Sequence, residues 1–247
     1  MNLKNTVALV TGAAGGIGRE FVLELLERGA SKVYAGGRQA AALAGAFRGD
    51  PRIVPLVLDV TYPAHVAAAA VAAPDVSLVI NNAGYCAEQG ALAAPDLSAA
   101  RTEIEVNYFG PLLMARAFAP VLARNGGGAI VNVLSILSLA TLPMMGTYSA
   151  AKAAGLSLTR SIGAELAAQR TLVVASMPTV TDTAMGGWAV DMPKVAPRDA
   201  ASETLDAVEA GETEVFPGHL SREAAAAFAA DPKAFQARLA TVLPRTA

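Results

Sequence analysis

Residues 6–18 read TVALVTGAAGGIG, and this stretch decides the class of fold. A short β-branched apolar run, 6–10, passes directly into Thr11-Gly12-Ala13-Ala14-Gly15-Gly16-Ile17-Gly18, and an amphipathic helix is expected over 18–28. Glycines at such a strand-to-helix turn permit a tight bend. They also let backbone N–H groups approach a pyrophosphate at the positive end of the helix.

Further along the chain the same alternation recurs. Strands are expected at 32–35, 53–58, 76–80, 129–134 and 172–176, and helices at 40–47, 64–72, 97–124 and 147–168. The strand segments are apolar on consecutive residues, the mark of strands covered on both faces. Strand alternating with helix implies right-handed crossovers and a parallel sheet, an α/β doubly wound architecture. No internal repeat or low-complexity linker divides the chain, so a single domain over 1–247 is expected.

The tail departs from this rhythm. Residues 178–197, with Pro178, Pro193, Pro197 and the adjacent Gly186 and Gly187, read as a long irregular substrate loop. A helix at 197–210, a short strand at 214–216 and Ala-rich helices at 221–229 and 232–240 follow, making a helical C-terminal segment near 218–241. Asp231-Pro232 is a good N-cap with proline in the first turn.

Composition narrows the function classes. The 247 residues are 53% hydrophobic and 16% charged, with 19 basic against 21 acidic side chains and no block of like charge. Binding to nucleic acid or an anionic membrane is therefore not expected. The single cysteine, Cys86, forms no intrachain bridge, and the apolar run at 7–10 is too short for a signal peptide, so a cytoplasmic location is expected. The uncharged stretch between Arg124 and Lys152 contains Gly126, Gly127, Gly128, Asn132, Ser135 and Pro143, which suit a buried strand and loop, not a membrane span. Two histidines, His65 and His219, with no ligand-spaced cluster, give no metal site.

A second constellation carries the chemistry. Tyr148-Ser149-Ala150-Ala151-Lys152 places a phenol and an ammonium four residues apart, on one face of the helix expected there. An ammonium beside a phenol favours the phenolate, so a lowered Tyr148 pKa is expected, suited to proton exchange with an alcohol or carbonyl oxygen. Ser135 lies thirteen residues upstream at the end of a strand, with Ser138 as its rival. Asn81-Asn82-Ala83-Gly84 closes the fourth strand, Asn107 lies in the long helix, and Asp59-Val60 and Pro178 follow the third and sixth strands.

This ordered set, with the Gly-x-x-x-Gly-x-Gly spacing after Thr11, resembles the short-chain dehydrogenase/reductase family from residue 3 to about 185. The resemblance implies a Rossmann-type fold and hydride transfer between a nicotinamide cofactor and a carbonyl or secondary alcohol. It implies that Tyr148 is general acid or base and that Ser135 holds the substrate oxygen. Lys152 would bind the nicotinamide ribose and tune Tyr148, and Asn107 would position a water in a relay to Lys152. For Asn107 a second reading is open, a polar side chain satisfying backbone at a helix kink near Gly110-Pro111.

Thr11, Gly12, Gly16, Ile17, Gly18, Asp59, Val60, Asn82, Ala83, Gly84, Pro178, Val180 and Thr183 would join Tyr148 and Lys152 at the cofactor. Arg38, about 20 residues beyond the glycines, with no acidic residue from 28 to 49, favours NADP(H), with NAD(H) the alternative. Tyr85, Cys86, Met144, Met145, Met185 and Trp188 are expected to border an apolar substrate. The resemblance further implies a homodimer or homotetramer.

Departures from the family pattern are Leu134 for serine, Ser138 for glycine, Thr179 for glycine, Gly15 where some NADPH-dependent relatives carry a basic residue, and the sequence beyond Gly211. A cofactor-sensing regulator without turnover, and an epimerase or dehydratase using bound NAD, are the competing readings. The intact Ser135, Tyr148 and Lys152 set disfavours the first, and the glycine spacing and short C-terminal region disfavour the second.

Overall fold

Consecutive residues of each central strand face opposite layers. Ala8 and Val10 point into one apolar cluster and Leu9 into the other; Leu78 and Ile80 oppose Val79, Ala129 and Val131 oppose Ile130, and Val174 opposes Val173. This two-sided burial is why the strand segments carry unbroken apolar runs.

The computed structural model describes residues 1–47 and 49–244; residues 48 and 245–247 of the expected 1–247 domain lie outside the described residues. The strands are β1 Val7–Thr11, β2 Lys32–Gly37, β3 Ile53–Val57, β4 Leu78–Asn81, β5 Gly128–Val133, β6 Thr171–Ser176 and β7 Glu214–Val215. The helices are α1 Gly16–Glu27, α2 Ala40–Ala46, α3 Pro63–Ala72, α4 Ser98–Ile104, α5 Gly110–Arg124, α6 Gly146–Leu166, α7 Pro197–Ala210, α8 His219–Ala230 and α9 Pro232–Leu239.

The sheet has seven strands in the order β3-β2-β1-β4-β5-β6-β7, all parallel. Helices α1, α2 and α7 bury Phe21, Leu25, Leu43, Leu205 and Val208 on one face. Helices α3, α5 and α6 bury Val66, Met114, Phe118, Leu122 and Ile162 on the other. Chain order reverses between β1 and β4, so a crevice opens at the carboxyl ends of these strands, where ligands bind in open α/β sheets.

Three expectations are corrected. The helix expected unbroken over 97–124 is two helices, α4 and α5, joined by a π-helical turn at Glu105–Phe109 that contains Asn107. Strand β4 starts at Leu78, two residues later than expected, although Ser77 already bonds Val7 of β1 and Ala129 of β5. Strand β1 runs one residue further than expected, because Thr11 pairs with Gly36 of β2.

The helical run Ser98–Arg124 is long and apolar enough by composition to cross a membrane. In the fold its apolar face, including Met114, Phe118 and Val121, lies against the sheet. The uncharged stretch before Lys152 forms β5, a 3-10 turn at Ile136–Ser138, a second at Pro143–Met145 and the start of α6.

Candidate active site

The glycine turn sits at the reversal point. Gly12 and Gly16 adopt left-handed backbone, φ +64° and +53°. Gly18 is buried so tightly that a Cβ there would lie 2.2 Å from the Gly12 carbonyl oxygen. The turn is tied to β4 through Thr11, whose Oγ1 accepts from the Asn82 and Ala83 N–H groups, both at 3.0 Å. Asn82 Nδ2 donates back to the Thr11 and Gly12 carbonyls at 3.0 and 3.3 Å. The Thr11 and Asn82 side chains therefore shape the loop with their own polar groups, and half-buried Ile17 anchors its helical end in the core.

The turn fits the phosphates of a dinucleotide. Helix α1 has Gly15 as its N-cap, with no side-chain cap and no acidic residue in its first turn, leaving its N-terminal N–H groups and positive dipole end to an incoming anion. A Cβ at Gly15 would meet nothing within 4 Å. Opposite, Thr183 approaches the loop, its Cγ2 3.2 Å from where a Gly16 Cβ would stand.

Arg38 follows β2 and is exposed. Its charge reaches Asp59: burial raises the Asp59 carboxyl, but the Thr61 N–H and hydroxyl, and then Arg38, hold it below the usual carboxylate range. Val60 is buried and packs on Gly110 at the start of α5.

Helix α6 delivers Tyr148 and Lys152 on its buried face, in register with Ala151, Gly155, Leu156 and Thr159. That face is fixed to the sheet by a buried polar chain: Asn81 Nδ2 donates to Asn132 Oδ1 at 2.8 Å, Asn132 Nδ2 to Thr159 Oγ1 at 2.9 Å, and Thr159 to the Gly155 carbonyl at 2.7 Å. Lys152 Nζ donates to the Val133 carbonyl at 2.9 Å and stands 5.5 Å from the centre of the Tyr148 ring.

The expected lowering of the Tyr148 pKa is corrected. Burial pushes the phenol well above its ordinary range and Cys86 adds to this, while the Ser135 hydroxyl works against it and Glu103 with it. Burial also lowers Lys152 to about 8. The i,i+4 spacing does bring the two residues to one face, but the ammonium is directed to the β5 carbonyl and both groups are desolvated.

Asn107 Oδ1 accepts from the Tyr85 N–H at 3.3 Å and its Nδ2 donates to the Tyr85 carbonyl at 2.7 Å. It thus satisfies the backbone of the segment after β4 from within the π-helical turn. The relay position is still adjacent: a Cβ at Gly84 would lie 3.3 Å from Asn107 Oδ1 and 3.7 Å from Lys152 Nζ, so glycine keeps the space between them open.

Ser135 and Tyr148 line one cavity of about 370 Å³, together with Pro178, Val180 and Thr183. Ser135 also caps the 3-10 turn, accepting from the Leu137 N–H at 3.2 Å. Ser138 lies in that turn, buried and outside the cavity wall, which separates the two serines. Of the residues expected to border substrate, Cys86, Met145, Met185 and Trp188 reach the cavity.

Tyr85 and Met144 do not. The Tyr85 backbone is clamped by Asn107 and its side chain is exposed; Met144 hydrogen-bonds Val242 through its N–H and packs behind Met145. Burial raises the Cys86 thiol to about 11, which suits a wall residue and not a nucleophile.

Sequence reading missed several wall residues. Helices α8 and α9 contribute Leu220, Ala224, Phe235, Arg238 and Leu239. Thr179 helps to hold α8: its N–H donates to the buried Ser221 Oγ at 2.9 Å, and its hydroxyl lies 3.2 Å from the same atom. Glu103 is also new, fully buried, with Oε1 accepting from the Ala87 N–H at 2.8 Å and Oε2 without a partner. Nothing in the sequence of α4, which carries Ser98, Arg101 and Thr102 beside it, set Glu103 apart as buried.

The strand order and the glycine turn at its reversal point define a Rossmann-type protein. Within that class, the chain matches the short chain dehydrogenase family model over residues 6–193. It belongs to the short-chain dehydrogenase/reductase family, a family of oxidoreductases.

A crystal structure of a short chain dehydrogenase from Burkholderia cenocepacia J2315 in complex with NADP is similar at 47% identity and TM-score 0.90, covering 97% of this chain and 99% of that one. A 3-ketoacyl-(acyl-carrier-protein) reductase from Brucella melitensis complexed with NADH is similar at 26% identity and TM-score 0.79, covering 86% of this chain and 96% of that one. The short chain dehydrogenase pigC of Monascus ruber is 33% identical over 200 residues, 75% of this chain; the match spans 66% of that relative's length.

Proposed function

We propose that the protein is an NADP(H)-dependent oxidoreductase that interconverts a hydrophobic ketone and its secondary alcohol. The observation that carries this reading is the meeting of Ser135 and Tyr148 in one apolar cavity, with Lys152 one helical turn behind Tyr148. The bound nicotinamide would supply or accept the hydride.

The chain's own residues would handle the oxygen and the proton. Ser135 donates a hydrogen bond to the carbonyl oxygen as negative charge develops there. Tyr148, kept protonated by burial, is suited to give its proton to that oxygen in the reductive direction and to recover it through Lys152. Alcohol oxidation requires the phenolate, so its rate is expected to climb with pH. Thr11, Gly12, Gly16, Ile17, Gly18, Asp59, Val60, Asn82, Ala83, Gly84, Pro178, Val180 and Thr183 would form or support the cofactor cleft, Lys152 would bind the nicotinamide ribose, and Asn107 would hold a water beside Lys152.

Arg38, the cation after β2, supports the choice of NADP(H), in line with the NADP complex of the Burkholderia cenocepacia protein. The half-buried Cys86, with no second cysteine in the chain, supports a cytoplasmic location. The family resemblance supports a homodimer or homotetramer. The test is kcat/KM for NADPH and NADH across a panel of ketones, in the wild type and Arg38→Ala. A wild-type preference for NADPH that drops about tenfold in the variant supports the reading, since a charged hydrogen-bonded contact is worth about 1.5 kcal/mol or more. Equal preference in both proteins refutes the role of Arg38, and no turnover with any ketone refutes the activity.

A further inference from the structure

Among the described residues, the cavity above Tyr148 is walled by apolar and uncharged side chains with one exception, Arg238. This residue lies in the last turn of α9, and its guanidinium stands 5.0 Å from the ring centre of Phe235, a buried wall residue of the same cavity. Among the described residues no carboxylate lies within 4.0 Å of it, and its side chain donates no hydrogen bond to the protein. Arg238 is exposed, so it stands at the rim of the cavity, where a cation in the last turn also complements the helix dipole. The Phe235 ring, three residues earlier on the same helix, holds its guanidinium at the cavity wall.

The chemistry of the wall then describes a ligand. Ser135 and Tyr148 form one polar locus, Arg238 forms another, and Leu142, Met145, Trp188 and Leu239 supply apolar surface in the same cavity. The planar fork of a guanidinium stacked on a ring is pre-organised to take a carboxylate through two parallel hydrogen bonds.

We propose that Arg238 is a specificity-determining residue that binds a substrate carboxylate. The substrates are then oxo or hydroxy acids whose carbonyl and carboxylate are separated by an apolar body. The proposal rests on the ketone–alcohol reading for its reacting end and on Arg238 for its anionic end. It gives the helical C-terminal segment a chemical part in substrate choice, as the element that brings the only charge among the described residues to the cavity wall.

The experiment compares 7-oxooctanoate with its methyl ester and with 2-octanone, which share the reacting methyl ketone. With wild-type protein and NADPH, kcat/KM for the acid is expected to exceed that for the ester about tenfold or more, through KM, as for a charged hydrogen-bonded contact. Added salt is expected to shrink the difference. In Arg238→Gln the acid-to-ester ratio is expected to fall to about one, and Arg238→Lys to keep part of it, because charge is retained without the fork.

A ratio near one in the wild type, or one unchanged in Arg238→Gln, overturns the proposal while leaving the oxidoreductase reading intact. If none of the three ketones is reduced, calorimetric binding of acid and ester to the NADP-saturated protein decides. Acid binding that weakens about tenfold in Arg238→Gln upholds the carboxylate site. Acid binding that is no tighter than ester binding, or indifferent to the variant, overturns it.

Discussion

Replacing Lys152 by methionine is expected to stabilise the free protein at neutral pH while weakening its hold on the cofactor. Lys152 is 4% exposed and burial drops its pKa from 10.5 to about 8. At about 1.4 kcal/mol per pKa unit, keeping the ammonium buried at pH 7 costs about 3 kcal/mol. The sign follows from proton counting. Between pH 8 and 10.5 the unfolded chain binds a proton at Lys152 that the folded chain does not, so this residue's contribution to stability rises with pH and is lost again on acidification.

Methionine removes that cost and also the hydrogen bond to the Val133 carbonyl, worth about 1–2 kcal/mol. The expected net gain is about 1–2 kcal/mol, or roughly 3–6 °C in Tm for a chain of this size. The pKa values of Cys86 and Tyr148 are raised, so they lower stability as the pH climbs past their unfolded-state values. Tyr148 is common to both proteins, and Cys86 is coupled to the Lys152 ammonium, so the difference between variant and wild type reads Lys152 together with that coupling. Urea unfolding from pH 7 to 10.5 is expected to show the advantage of Lys152→Met disappearing as the pH rises. A variant less stable than wild type at pH 7, or a difference independent of pH, would refute the reasoning.

Other perturbations read separate parts of the site. Gly18→Ala forces a methyl to 2.2 Å from the Gly12 carbonyl, so the turn must shift; Tm is expected to fall by a few degrees and NADPH binding to be lost. Binding retained at wild-type strength would separate the turn from the cofactor. Ser221→Ala leaves the Thr179 N–H without its acceptor, at a cost of about 1–2 kcal/mol. It is expected to raise KM for apolar ketones more than for NADPH, because α8 forms part of the cavity wall. Equal effects on both would show that the bond supports the whole fold and not the wall.

The fold was legible because both faces of the sheet are covered. The central positions of the inner strands, 8–10, 78–80 and 129–131, had to be apolar on consecutive residues, and the long segments between the strands had to be helices. What escaped was set by tertiary contact. The π-helical turn around Asn107 has no periodicity that distinguishes it from α-helix, and Gly110-Pro111, the one signal nearby, marks only where α5 begins.

The spacing of Tyr148 and Lys152 put them on one face, yet the direction of the Tyr148 pKa depended on where the Lys152 ammonium points and on burial, and neither is local. Thr179 read only as a departure from the family's glycine. Its partner Ser221 lies 42 residues away, on a helix whose docking position its generic Ala-rich sequence does not reveal. Asp231, by contrast, was legible as a cap because capping is local, and its carboxylate accepts from the Lys233 and Ala234 N–H groups.

Tyr148→Phe tests the central claim most directly, with NADPH binding and NADPH-dependent ketone reduction measured on the same preparation. Loss of the phenolic proton is expected to cut kcat by about 10²-fold or more while the dissociation constant for NADPH stays within about twofold of wild type. Reduction at the wild-type rate by a variant that still binds NADPH would contradict the assignment of Tyr148 as the proton donor.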